Sequence, residues 1–235
     1  MNAGDLPNDI SKSGRGFHPV TGARLRFGVM GSAANGASEG LKALCRELGR
    51  AVADEQCCLI TGACPGLPHE AALGARSAGG HVIGISPASN LPEHISAYHS
   101  PHDGYDEMIY TGLGLMGREV INIRSSDIVL IVGGRCGTLG EFAIAYEEGK
   151  LIGVLEGSGG ITTALPLMAE AIQKQTGAEI LYDRDATSLV RRLLERFLET
   201  SRPSACEDLR AHLAEPMTQP GRLPSAGGLA RRVTG

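Results

Sequence analysis

The 235-residue sequence has no long basic run, no CxxC pair and no apolar stretch approaching the ~18 residues of a membrane-spanning helix. Each absence excludes a class of function. A formal net charge of −4 without a basic cluster argues against nonspecific nucleic-acid binding. The six cysteines, Cys45, Cys57, Cys58, Cys64, Cys136 and Cys206, follow no disulfide-framework spacing, so reduced thiols are expected. The opening segment "MNAGDLPNDISKSGRGFHPVTG" lacks the apolar core of a secretory signal, and the expectation is a cytoplasmic protein with no membrane partner. Glycine is abundant, at 33 residues, but has no collagen-like period, which leaves turns and close backbone approaches as its uses. With 42% hydrophobic and 20% charged residues, the chain is globular and long enough for one large core.

Within that frame the chain alternates. "LRFGVMG", "CCLITG", "HVIGISP", "IVLIVGG", "LIGVLEG" and "EILYD" read as short strands. Between them lie helical stretches: Leu41, Leu44, Cys45, Leu48, Ala51 and Val52 share one face, and "LPHEAALGARSAG" makes a short helix closed by glycine. A third helix is expected from about Thr138 to Glu148. A last one carries Leu189, Val190, Leu193, Leu194, Phe197 and Leu198 on one side. Strands that are apolar throughout belong to a sheet covered on both faces. The predicted architecture is therefore α/β: a three-layer Rossmann-like fold with a mostly parallel sheet. Residues 1–23 read as a flexible arm, 24–200 as the domain, and 201–235, with Pro203, Pro216, Pro220 and Pro224, as a disordered or surface tail.

In such sheets ligands bind where strand ends meet helix starts. Three of these junctions carry glycine: "GVMGSAANG", "TGACPGLP" and "VGGRCGTLGE". Together they offer an anionic pocket, although any one of them is equally explained as a tight turn. None is a Walker A loop, since Thr138 follows Gly137 where that motif needs lysine. Glycines at 28, 31 and 36 do not fit the dinucleotide fingerprint GxGxxG. "HEAAL" has Leu73 in place of the second histidine of a zincin site, and His94, His99 and His102 lack matching ligand spacing, so no metal is expected. These histidines read as part of a solvated loop. Cys136 has no histidine beside it to serve as base and reads as a small turn residue.

The segment "GLMGREVINIRSSDIVLIVGGRCGTLGEF" resembles the LOG (LONELY GUY) or possible-lysine-decarboxylase-like family. That family comprises nucleoside 5′-monophosphate phosphoribohydrolases marked by PGGxGTxxE and an upstream arginine. Thr138 and Glu141 match the GTxxE, Asp127 the acidic residue that opens the strand, and Arg118 the arginine. The resemblance runs from about residue 25 to 155. Three positions depart: Gly133 replaces proline, Arg135 a glycine and Glu119 a lysine. They drift toward a sister group that includes a molybdenum-cofactor carrier and relatives of the DNA-processing protein A.

The resemblance implies hydrolysis of a nucleoside 5′-monophosphate to free base and ribose 5-phosphate, without a cofactor, by a homodimer. The alternative is a non-catalytic nucleotide- or molybdenum-cofactor-binding protein using the same pocket. On the first reading Glu141 and Arg118 are catalytic. A fixed carboxylate near the ribose stabilises an oxocarbenium-like transition state and orients water. Arg118 orients Glu141 or grips the substrate. The phosphate falls to the helix N-terminus at Gly134, Gly137 and Thr138, and to the other two turns at Gly31, Ser32, Gly62 and Gly66. Arg135 either adds a charge-assisted contact or points to solvent. Met116, Tyr105 and Tyr110 either touch the base or belong to the core.

Overall fold

The computed structural model describes residues 16–19, 21–33 and 36–201. The remainder of the expected arm and almost all of the expected tail lie outside these residues. Within the arm, Phe17 makes an antiparallel bridge with Arg24, and the Leu25 N–H donates to the Gly16 carbonyl.

The elements run β1 (Arg26–Gly31), α1 (Glu39–Asp54), β2 (Cys58–Thr61), α2 (Leu67–Ser77), β3 (His81–Ser86), α3 (Leu91–Ser96), β4 (Glu107–Tyr110) and α4 (Gly114–Arg124). There follow β5 (Ile128–Val132), α5 (Cys136–Glu147), β6 (Leu151–Leu155), a 3-10 turn (Gly160–Thr163), α6 (Leu165–Ile172), β7 (Glu179–Asp183) and α7 (Ala186–Thr200). The seven strands form one sheet in the order β4-β3-β2-β1-β5-β6-β7, and every pairing is parallel. The expected three-layer fold is present, with a sheet that is wholly rather than mostly parallel.

Burial explains the apolar strands. All five residues of β5 are buried, because helices cover both faces of the sheet. One face packs Phe27, Leu59, Leu130 and Val132 against α1, α2 and α7 through Cys45, Leu48, Ala71 and Leu193. The other packs Met30, Val129 and Ile131 against α4, α5 and α6 through Ile123, Phe142 and Leu165. Side-chain caps start the two most amphipathic helices: Ser38 accepts from the Leu41 N–H, and Asp185 from the Ser188 N–H.

Three elements, α3, β4 and α6, are absent from the sequence reading. The segment after β3 is not a solvated loop. It carries α3 and then β4, an edge strand whose residues alternate between exposed and half-buried. His94 is fully buried on α3, with Ser86 Oγ at 2.8 Å from Nδ1 and the Pro101 carbonyl at 2.9 Å from Nε2. Its ring is a satisfied core group.

Because β1 neighbours both β2 and β5, the chain winds outward in opposite directions from the middle of the sheet. That reversal leaves a crevice at the carboxyl ends of β1 and β5, the place where open α/β sheets hold ligands.

Candidate functional site

A cavity of about 320 Å³ occupies the crevice. β1 and its turn supply Gly31, Ser32 and Ala33; the turn after β2 supplies Gly62 and Cys64; α4 supplies Leu115, Met116, Arg118 and Glu119; α5 and its cap supply Arg135, Gly137, Thr138 and Glu141. A second lobe of about 260 Å³ shares Ser32 and Arg135 and is lined further by Gly133, Gly134, Ser158 and Gly160. The first volume lies within the range of small-molecule sites and the second just below it.

Ten of the eleven residues singled out in the sequence line these lobes. The exception is Gly66, which lies behind the wall: a side chain there would run into the Ser32 and Ala33 backbone. Tyr105 and Tyr110 are not among the lining residues. Tyr105 meets His69, its hydroxyl 3.3 Å from Nδ1, and Tyr110 packs edge-on against His94. Cys136 is exposed and also outside the lining.

The backbone makes room for the charged groups. Gly62 has no side chain where the Arg118 guanidinium sits; a Cβ there would collide with it. Gly134, at φ 97°, is held in a conformation that favours glycine, and its missing Cβ leaves space for the Thr138 side chain. α5 then begins at Cys136 with no side-chain cap, so its first N–H groups are left free for a ligand.

Arg118 is the most demanding residue. It is only 7% exposed, yet its five N–H donors are poorly served. Nη2 donates to Cys64 Sγ at 3.4 Å, Nη1 stands 3.7 Å from Glu141 Oε1, and buried Nε has no partner. A buried guanidinium with orphaned donors is costly and calls for an anion or a carbonyl to complete it.

Glu141 is 6% exposed, and burial pushes its carboxyl up to about 7. Arg118 and a hydrogen bond from Asn122 pull it down, and Glu119 pushes it up. Around neutrality it is therefore poised between acid and base. Glu119, also raised by burial, is 6% exposed and faces the same cavity. Cys64 and Glu119 were not anticipated as wall residues. Cys64 stands in a turn 54 positions from the arginine it meets. Glu119 was noticed only as a departure from the resembled motif.

Among the described residues no helix is long and apolar enough to cross a membrane. An uncharacterised protein of Archaeoglobus fulgidus is 33% identical over 132 residues, 56% of this chain and 80% of that one. The molybdenum cofactor binding protein from Rippkaea orientalis has a similar structure, with 29% identity and a TM-score of 0.60 over 74% of this chain and 97% of its own. The molybdenum cofactor carrier protein of Chlamydomonas reinhardtii is similar at 28% identity and a TM-score of 0.59, over 74% of this chain and 98% of its own. Residues 24–190, spanning the sheet and both lobes, match the SLOG cluster4 family, and the chain belongs to that family.

Proposed function

We propose that the chain is a binding protein for a phosphate-bearing small molecule of the nucleotide or molybdenum-cofactor kind. One observation carries the reading: Arg118, buried in the cavity wall with an orphaned Nε and two weakly engaged nitrogens. The free N–H groups at the start of α5 and Arg135 at its cap add positive potential where the two lobes meet. The two cofactor-binding proteins of similar structure support it. So do the departures at Gly133, Arg135 and Glu119 from the motif of the phosphoribohydrolases. The net charge of −4 speaks against a nucleic-acid partner.

Glu141 favours a second reading, phosphoribohydrolase activity. Water attacks C1′ of a nucleoside 5′-monophosphate, the C1′–N bond breaks, and one water proton goes to the departing base. Glu141, poised near 7, takes that proton from the water and passes it to the base nitrogen while the hydroxyl bonds to C1′, and Arg118 holds the Glu141 carboxylate in place. A single experiment separates the readings: equilibrium binding of the four common nucleoside 5′-monophosphates, followed by chromatography of the recovered ligand. Binding with intact nucleotide recovered supports the binding protein. Free base that appears with wild type and vanishes with Glu141→Gln establishes the hydrolase. Failure of every monophosphate to bind sinks the hydrolase and the nucleotide form of the binding reading, and leaves only its molybdenum-cofactor form.

A second copy of the chain is proposed as the partner. Leu113, Leu115 and Met116, at the start of α4 beside the cavity mouth, are 56%, 51% and 66% exposed, and Ile109 on edge strand β4 is 48% exposed. Apolar side chains grouped in this way mark an association surface. Leu115→Asp should shift the sedimentation of the protein toward monomer by at least tenfold in dissociation constant. A wild type that already sediments as a monomer at micromolar concentration would refute the pairing.

A further inference from the structure

The cavity holds more negative charge than a phosphate site needs. Beside Arg118 stand two carboxylates, and among the described residues the Glu119 carboxylate accepts no hydrogen bond, although the residue is 94% buried. Arg118 acts on it only through space. The carboxylate lies along α5 where two glycines make room: a Cβ on Gly137 would be 3.4 Å from Oε1, and one on Gly140 would be 3.1 Å from Oε2. A favourable position near the positive end of α5 accounts for part of this placement. It does not account for lone pairs turned to a cavity and left without donors.

A ligand that satisfies this wall must therefore offer donors as well as an anion. Glu119 presents two acceptors and its chain neighbour Arg118 presents donors to the same cavity. Pro68, Leu115 and Met116 add apolar surface to the same lining, suited to a flat ring. The edge complementary to a carboxylate beside a guanidinium is an exocyclic amino group, a ring N–H and a carbonyl in a row. That is the 2-amino-lactam edge shared by guanine and pterin. Adenine, with its ring acceptor beside the amino group, presents the wrong order.

We propose that Glu119 is the specificity-determining residue of this pocket, accepting hydrogen bonds from the amino and N–H groups of a 2-amino-lactam heterocycle while Arg118 donates to its carbonyl. The proposal rests on the binding reading above and narrows its ligand class. The phosphate, or another anionic substituent, is then left to the glycine-lined lobe around Ser32, Gly134 and Arg135.

Two matched pairs test it by titration calorimetry with the full chain: GMP against IMP, and pterin-6-carboxylate against lumazine-6-carboxylate. Within each pair the 2-amino group is lost, replaced by hydrogen in IMP and by a carbonyl oxygen in the lumazine. The amino member of at least one pair should bind about tenfold tighter or more, the scale of one hydrogen bond to a charged group. The responding pair names the source as a purine nucleotide or a pterin. Glu119→Gln should reduce that preference to within about threefold, since its amide replaces one acceptor by a donor. Gly140→Ala, a helix-compatible change, presses on the same carboxylate and should erode the preference while the charge is kept. If both members of each pair bind wild type equally, or if both variants keep the preference, Glu119 does not read the edge and the binding reading stands alone. If no member of either pair binds wild type, the proposal falls, and the reading beneath it falls with it only if the other common monophosphates also fail to bind.

Discussion

Arg118→Ala should weaken binding of the ligand by about 100-fold or more, with little change in fold. The side chain sits in the wall with Nε unpartnered and its other nitrogens held only by a sulfur at 3.4 Å and a carboxylate at 3.7 Å. Among the described residues nothing competes strongly for its donors, so a bound anion or carbonyl receives nearly their full strength. Two hydrogen bonds from a charged donor, each about 1.5–3 kcal/mol, correspond to a loss of roughly 100-fold at the low end. Lysine should recover little of this, because a point charge does not reproduce the planar fork. Gly62→Ala provides the stricter comparison. It retains the arginine and its charge, but the added methyl takes the space of the guanidinium and forces it aside. Affinity should fall about tenfold or more by geometry alone, on the scale of one charged hydrogen bond. If calorimetry shows both variants binding like wild type, Arg118 is not the anchor and the cavity needs a different account.

The chain shows how far a motif carries and where folding takes over. Turns at Gly31, Gly62 and Gly133–Gly137 are legible because glycine at the end of an apolar strand has few other uses, and the sheet brings all three to one edge. Glu141 and Arg118 are legible through the family resemblance, Glu141 by the GTxxE match and Arg118 by its place nine residues before Asp127. α4 is not legible by periodicity. Its buried residues are Arg118, Glu119, Asn122 and Ile123, so the inward face is mostly polar and the usual apolar stripe is missing. Arg118 and Glu119 on that face line the cavity, and a helix that turns polar side chains inward shows no apolar stripe. β4 escapes notice for a different reason. It is an edge strand four residues long, and half of it faces outward. Cys64 becomes a site residue only through the meeting of β2 and α4, which no local pattern encodes.

The folded protein should lose stability as pH rises from about 4.5 to 7, and Glu141 is the main reason. Its carboxyl has an ordinary value of 4.5 and is lifted to about 7 by burial. The folded state therefore holds a proton that the unfolded state has already released. The resulting stabilisation is fully present below 4.5 and is lost as pH rises through 7. The difference between about 7 and 4.5, at about 1.4 kcal/mol per pH unit, amounts to about 3 kcal/mol. Glu119, raised in the same direction, steepens the loss, while Arg118 opposes it by favouring the ionised form of both. Urea titrations between pH 4.5 and 8 should show wild type declining through this window and Glu141→Gln declining much less. A ligand that completes Arg118 competes with Glu141 for the same donors, so its binding should also be tighter at pH 6 than at pH 8. Equal slopes for wild type and Glu141→Gln would mean that the carboxylate is ionised and solvated at neutral pH. In that event neither its burial nor its readiness to exchange a proton could be part of the site's chemistry.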